Sequence, residues 1–129
     1  MNWAFLVLIL CTGASSARAC VADGRPLIAN KPSSDAIVAQ LEPITVSRPF
    51  QMKLTVCSDS TPAVDQLKVD AWMPRHKHGM KYSTTVQSLG AGEFTVSNMV
   101  FHMPGFWQVR VSTQQQNVEA SYVLDITVK

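Results

Sequence analysis

Five residues in two short segments of the chain have side chains that can bind a soft metal ion. The segment Met-Pro-Arg-His-Lys-His-Gly-Met contains His76 and His78, two residues apart, and ends in Met80. The third histidine, His102, is directly followed by Met103. Thioether sulfur is a poor ligand for hard ions such as Ca²⁺ and Mg²⁺ but a good one for Cu(I), and imidazole binds copper in both oxidation states. The pattern therefore predicts a copper site built from these five residues.

The same part of the sequence also fits an interpretation without a metal. Arg75 and Lys77 lie among the histidines, so the segment can equally be a solvated basic loop. Methionine is a common filler of hydrophobic cores. Met73 is expected in the core, and Met99 and Met103 fit the same role. The sequence leaves both interpretations open.

Composition narrows the functional classes. Of the 129 residues, 47% are hydrophobic and 16% are charged, which is the balance of a globular domain and not of a disordered chain. The net charge is +2 and no run of Lys or Arg occurs, so nucleic acid is not an expected partner. No carboxylate lies beside the histidines, no Ser–His–Asp spacing is evident, and Cys57 has no nearby base. We therefore expect no enzymatic activity.

The beginning of the sequence has the pattern of a secretory signal peptide. An unbroken apolar run over residues 3–11 is followed by small and polar residues that end in Ala-Arg-Ala at 17–19. Signal peptidase accepts small residues at this spacing, which predicts a signal peptide over residues 1–19 and a periplasmic or secreted protein. The run is shorter than the roughly 20 residues of a membrane-spanning helix, so no stable span is expected after cleavage. Because the first two residues include no Lys or Arg, an uncleaved membrane anchor is the alternative.

Two cysteines would remain after this cleavage, Cys20 and Cys57. In an oxidising compartment an isolated pair indicates a disulfide first. The closed loop is long, so loop-closure entropy predicts a stabilisation of roughly 3–4 kcal/mol. The alternatives are a thiolate metal ligand at Cys57 and a lipid on Cys20. Ala17 and Arg18 are not the usual residues of a lipid-attachment motif, which favours plain cleavage.

The rest of the chain has the alternation of β-strands. Residues 20–35 are rich in Pro, Ser, Asp and Gly and are expected to form an irregular arm. Beyond it, apolar and polar residues alternate in about seven segments with turn signals every 8 to 12 residues, and no helical period occurs. This predicts an all-β, antiparallel immunoglobulin- or cupredoxin-like β-sandwich over residues 36–129. Pro43 favours an edge strand over residues 37–46, and Trp107 is the expected core anchor.

Two motifs carry a resemblance to a known family. One is a Met-Pro-x-His-x-His-Gly-Met loop, here residues 73–80, and the other is a Met-Pro-Gly-x-Trp corner, here residues 103–107. With these motifs the chain resembles the YtkA-like and FixH-like family of small extracytoplasmic domains, which implies the β-sandwich fold. Many members have Gly where this chain has Lys77, which adds a bulky charge to the expected site. FixH-like members linked to oxidase assembly are generally membrane-anchored, whereas this chain has only a short apolar run near its beginning.

A second similarity is to periplasmic copper chaperones of the PCuAC type. Those proteins place a Met, then 21 residues, then a His and a Met separated by one residue. Here 21 residues separate Met80 from His102, but Met103 directly follows His102. On a strand, that shift turns the methionine to the other face.

Two functional hypotheses follow from the sequence. The first is a periplasmic or secreted copper-binding chaperone or scavenger, whose partner is an envelope protein or a copper-requiring enzyme. The second is a non-enzymatic, immunoglobulin-like interaction module of the cell envelope that binds no metal, including an accessory role in oxidase assembly.

Overall fold

The computed structural model describes residues 22–31, 35–58, 64 and 66–129, and within these ranges the chain forms ten β-strands and no helix. The strands are β1 (Arg25–Pro26), β2 (Ile28–Ala29), β3 (Ala36–Leu41), β4 (Phe50–Cys57), β5 (Gln66–Met73), β6 (His78–Gly79), β7 (Thr85–Gly90), β8 (Glu93–Met99), β9 (Gly105–Gln115) and β10 (Val118–Val128). Seven of them have six residues or more, in agreement with the number expected from the alternation. The described ranges contain no helix that could cross a membrane.

Two five-stranded antiparallel sheets form the sandwich, which confirms the predicted fold class. The first sheet has the order β1-β3-β4-β8-β7, and the second has the order β2-β10-β9-β5-β6. In the second sheet β9 and β10 pair over their full length, and the end of β5 lies opposite the beginning of β9, with Trp72 facing Gln108. The segment that leaves β5 after Met73 and the segment that enters β9 at Gly105 therefore meet at one end of the sandwich.

Alternation of side chains places one face of each long strand in the core. In β4, every second residue from Phe50 to Val56 is buried. In β9, the same alternation buries Trp107, Val109 and Val111 completely. The prediction of Trp107 as the core anchor is thus confirmed, and its neighbours in sequence lie on the outer side of the sheet or at its rim.

Two expectations about the first part of the domain differ from the structure. The edge strand predicted over residues 37–46 is wrong in position and length, because β3 ends at Leu41 and lies between β1 and β4. Pro43 follows the end of this strand and interrupts no ladder. The arm, expected to be irregular, contains β1 and β2, and Leu27 between them is buried. Two-residue strands are too short to show a period in the sequence.

Candidate functional site

The first part of the site is the turn after β5, residues 74–77. Met73 is 1% exposed, as expected for a core residue, whereas all four residues of the turn are exposed. The amides of His76 and Lys77 both donate to the carbonyl oxygen of Met73, at 3.2 and 2.9 Å. Lys77 has φ 54°, a left-handed conformation that favours glycine. The charge that was expected inside the site therefore lies on an exposed turn.

The short strand β6 brings the chain back along β5. His78 lies directly opposite Met73, and residues opposite one another project to the same face of a sheet, so His78 faces the side on which Met73 is buried. The amide of Met80 donates to the carbonyl oxygen of Ala71 at 3.3 Å, and its side chain is half-buried against the core. A Cβ at Gly79 would lie 3.1 Å from that same oxygen of Ala71, so this close approach favours glycine.

The second part of the site is the corner between β8 and β9. Phe101 is fully buried, and its ring stacks on Trp107 with centroids 4.7 Å apart and planes 15° apart. The indole Nε1 of Trp107 donates to the carbonyl oxygen of Met103 at 3.0 Å. Gly105 has φ 128°, and a Cβ there would lie 3.0 Å from Met73 Cε. The corner is thus tied to the core by stacking, by a hydrogen bond and by a close contact with the end of β5.

A β-bulge and a neighbouring loop set the direction of the chain before this corner. The pairing of β8 with β4 shifts register between Phe50 and Met52, where Asn98 has φ 61° and is exposed while Met99 is fully buried. A bulge of this kind re-aims the side chains that follow. Beyond it, the amide of Ser47 donates to the carbonyl oxygen of Phe101 at 2.8 Å.

These elements bring the three histidines of the chain together. The ring centroids of His76 and His78 are 5.6 Å apart, and those of His78 and His102 are 5.1 Å apart, so His78 is the central ring. His78 and His102 also meet Trp107 in T-shaped contacts, at 6.1 and 5.3 Å. A ring nitrogen lies about 2.0–2.1 Å from a bound metal ion, so rings as close as these can share one ion.

His102 carries a buried nitrogen that the described residues leave without a partner. Its Nδ1 is inaccessible to solvent and has no hydrogen-bond partner among them. An unsatisfied buried polar atom costs about 1–3 kcal/mol and calls for an explanation. Burial lowers the pKa of His102, and the electrostatic influence of Lys81 and, to a smaller extent, of His78 lowers this pKa further. The neutral ring is therefore favoured, and the neutral ring is the form that binds a metal.

The central imidazole is oriented by its own strand. His78 Nδ1 lies 3.3 Å from the carbonyl oxygen of Gly79. If this nitrogen carries the proton, the interaction is a hydrogen bond and Nε2 keeps its lone pair free. Histidine ligands in metal sites usually donate their second ring nitrogen to a carbonyl or carboxylate in this way.

The structure joins the five predicted site residues to different degrees. Ring contacts connect His76, His78 and His102, while Met80 and Met103 are half-buried and pack against the core. Among the described residues, no group of three or more His, Cys, Asp or Glu side chains is placed to hold a metal ion. The structure thus brings the three imidazoles into contact, whereas the two methionines are placed by their packing against the core.

Cys57 is not part of this cluster. Cys57 is half-buried at the end of β4, whereas Phe50, at the other end of that strand, contacts Phe101 with ring centroids 5.1 Å apart. An eight-residue strand spans roughly 23 Å, so Cys57 is remote from the histidines. Cys20 and the signal peptide expected over residues 1–19 lie outside the described residues. The disulfide and the cleavage site thus stay predictions.

Sequence reasoning placed Trp107 in the core but missed its contacts with the imidazoles. The only signal was its position five residues after His102 in the Met-Pro-Gly-x-Trp corner. The support of Ser47 for the same corner had no signal at all, because this contact crosses between distant parts of the chain.

Comparison with known proteins identifies the family of the chain. A family model described as YtkA-like matches residues 37–112, which is more than half of the chain. The chain belongs to the YtkA-like family. The matched range includes both motifs of this YtkA-like domain and stops before β10, although β10 completes the second sheet. No curated protein and no solved structure matches the chain.

Proposed function

We propose that this YtkA-like domain binds one Cu(I) ion per chain and acts, without catalysis, as a copper chaperone or scavenger outside the cytoplasm. The ligands would be His78, His102, Met80 and Met103, with His76 at the outer side of the site. The observation that carries the proposal is the buried Nδ1 of His102, which has no partner among the described residues, on a ring whose centroid lies 5.1 Å from that of His78.

The chemistry of the donor set supports copper over other ions. The described residues around the histidines offer no carboxylate ligand set, which disfavours Ca²⁺, Mg²⁺ and Mn²⁺. A mixture of imidazole and thioether suits Cu(I). The ion, when bound, would supply a partner for His102 Nδ1, which the described residues leave unsatisfied. The protein would supply a partly buried set of soft ligands.

Titration of the purified protein with Cu(I) against a competing chelator, beside a titration with Zn²⁺, tests the proposal. We expect one Cu(I) per chain, bound more tightly than Zn²⁺, because thioethers select the softer ion. Equal affinity for the two ions, or no binding of either, would refute the copper function.

Thioether deletions with a matched control locate the site. Met80→Leu and Met103→Leu remove sulfur with little change in volume, and we expect each to weaken Cu(I) binding. Met52→Leu is the control, since Met52 is 1% exposed in the core of the first sheet and is not one of the proposed ligands. A loss of affinity in the control equal to that in the site variants would contradict the assignment of ligands.

A specific observation favours a second candidate function. No group of three His, Cys, Asp or Glu side chains is arranged for a metal within the described ranges, and both His78 and His102 pack against Trp107 as structural side chains do. On this alternative the domain is a non-enzymatic, immunoglobulin-like interaction module without a metal. It predicts that the Cu(I) titration fails while His102→Phe, which keeps an aromatic ring against Trp107, retains the stability of the parent.

We also propose that Cys20 and Cys57 form a disulfide after export, as an isolated cysteine pair does in an oxidising compartment. Mass analysis with and without reductant, after alkylation of free thiols, should show two additional alkyl groups only in the reduced sample. Two alkylated thiols in the unreduced protein, or a lipid on Cys20, would contradict the pairing.

A further inference from the structure

The segment that carries His76 and His78 has basic side chains and no acidic ones. Three of the chain's 11 basic residues, Arg75, Lys77 and Lys81, lie between Ala71 and Gly92, and none of its nine acidic residues does. We call these three residues the basic rim. The rest of the chain has eight basic residues against nine acidic ones, so the charge asymmetry belongs to this region.

The basic rim is exposed and borders the imidazole cluster. All three residues are exposed, and Arg75 and Lys77 flank His76, whose ring touches that of His78. Lys81 directly follows Met80, whose side chain packs against the core at this end of the domain. The positive charges therefore lie on exposed positions next to His76 and to Met80 in the chain.

Three carboxylates of the described residues are already engaged elsewhere. Asp70 binds Arg110 with both oxygens, at 2.9 and 3.2 Å, and Glu93 pairs with Lys53 at 3.2 Å. At the end of β3, Glu42 accepts a hydrogen bond from the amide of Gln51 at 2.8 Å. Among the described residues, no acidic side chain forms an ion pair with a residue of the basic rim.

The positive charge of the basic rim opposes the approach of a free metal cation, because like charges repel. At moderate salt this repulsion extends over a Debye length of about 10 Å. A metal carried by a negatively charged partner escapes this penalty and is steered toward the site instead. We propose that the basic rim docks the acidic face of a partner protein that exchanges the metal with the histidine site. The metal exchange rests on the proposed copper function, whereas the docking does not.

An anionic membrane is less favoured as the occupant. The tip of the turn, residues 74–77, offers no large apolar side chain for insertion between lipids, and such anchors usually accompany basic residues at membrane surfaces. Tyr82, directly after Lys81, is the large exposed apolar residue next to the rim in the described chain. A single tyrosine is less than the apolar face with which membrane-surface segments bind.

Two labelled peptides, Met-Glu-Glu-Met-Glu-Glu-Met and Met-Lys-Lys-Met-Lys-Lys-Met, test the docking on the metal-free protein. Fluorescence anisotropy at low ionic strength should give a dissociation constant at least about tenfold lower for the glutamate peptide than for the lysine peptide. The difference should disappear in about 1 M salt, where the Debye length is roughly 3 Å. Equal binding of both peptides, or no binding of either, would overturn the proposal whatever the copper titration gives.

Charge reversal assigns the binding to the basic rim. Arg75→Glu with Lys81→Glu should abolish the preference for the glutamate peptide. The control, Lys31→Glu with Lys68→Glu, changes the net charge by the same amount at exposed positions away from the histidines and should shift the dissociation constant less than about twofold. Equal effects of the two double variants would mean that only net charge matters and would contradict the docking site.

Two further measurements separate the remaining outcomes. With Cu(I) loaded on each peptide, transfer to the protein should be at least about tenfold faster from the glutamate peptide at low salt, and the rim reversal should remove this advantage. Peptide docking without any uptake of Cu(I) would leave the docking inference in place and refute the copper function. Binding to phosphatidylglycerol vesicles that depends on the rim, without binding to the peptide, would replace the protein partner by a membrane.

Discussion

The two parts of the site are held by different forces. The corner at residues 101–107 belongs to the core: Phe101 and Trp107 are fully buried, and the indole holds the carbonyl of Met103. The turn at residues 74–77 is exposed along its whole length and is closed by two backbone hydrogen bonds to Met73. Substitutions in the corner should therefore alter the stability of the fold, whereas substitutions in the turn should leave the fold intact.

Because of this difference, substitutions in the turn can separate an effect on metal binding from an effect on folding stability. His102 sits on the corner, so its position follows from the packing of β9. His76 and His78 sit on the turn and on a two-residue strand, so their positions depend on few contacts. Substitutions on the two halves should therefore act on stability in very different measure.

The largest effect is expected at the corner, from Trp107→Ala. Removing a fully buried indole should cost about 3–5 kcal/mol of folding free energy, enough to unfold a domain of this size or nearly so. Gln108→Ala, one residue further on the outer side of β9, should cost about 0.5 kcal/mol or less. Urea denaturation of both variants beside the parent measures the difference, and a parent-like Trp107→Ala would contradict the core position of the corner.

A smaller loss is expected from Gly105→Ala. With φ 128° and a Cβ only 3.0 Å from Met73 Cε, alanine should cost about 1–3 kcal/mol. Gly90→Ala is the control, because Gly90 also has a positive φ, 84°, but nothing lies within 4 Å of its Cβ. Thermal melting should rank Gly105→Ala below Gly90→Ala; the opposite order would show that the contact between the corner and the end of β5 carries no weight.

A modest gain is expected on the turn, from Lys77→Gly. The left-handed φ of 54° at Lys77 costs a residue with a Cβ about 1–2 kcal/mol, and the extra freedom of glycine in the unfolded chain offsets about 0.5–1 kcal/mol of that. The net gain should raise the melting temperature slightly, while Lys77→Ala, which keeps the backbone strain, should not. Similar melting of the glycine and alanine variants would mean that the turn stores no strain.

The smallest effect on stability is expected from the double variant His76→Ala with His78→Ala. Both residues lie outside the core, so the folding free energy should change by about 0.5 kcal/mol or less. Its Cu(I) affinity should nevertheless fall at least about tenfold, since each tenfold step is only about 1.4 kcal/mol of binding. Loss of folding in this variant would make the turn structural and would remove the contrast between the two halves.

Much of the fold was predictable because it follows a local rule. Alternation in β4 and in β9 identified the buried faces, including Trp107, and glycine-rich turns separated the long strands. The two-residue strands β1, β2 and β6 were not predictable, because two residues are too few to show a period and each strand is defined only by its pairing with another strand. The edge position assigned from Pro43 failed for the same reason.

By itself, the sequence determined the all-β alternation, the buried Trp107 and the five candidate ligands, because each depends on residue type and on near neighbours. Only the tertiary structure decided that the ring centroids of His78 and His102 lie 5.1 Å apart and that Trp107 packs against both rings. It also decided that His102 Nδ1 is buried without a partner in the described chain. These facts follow from the pairing of β5 with β9. Strand pairing brings together residues that are far apart in the chain, and no local pattern encodes its register.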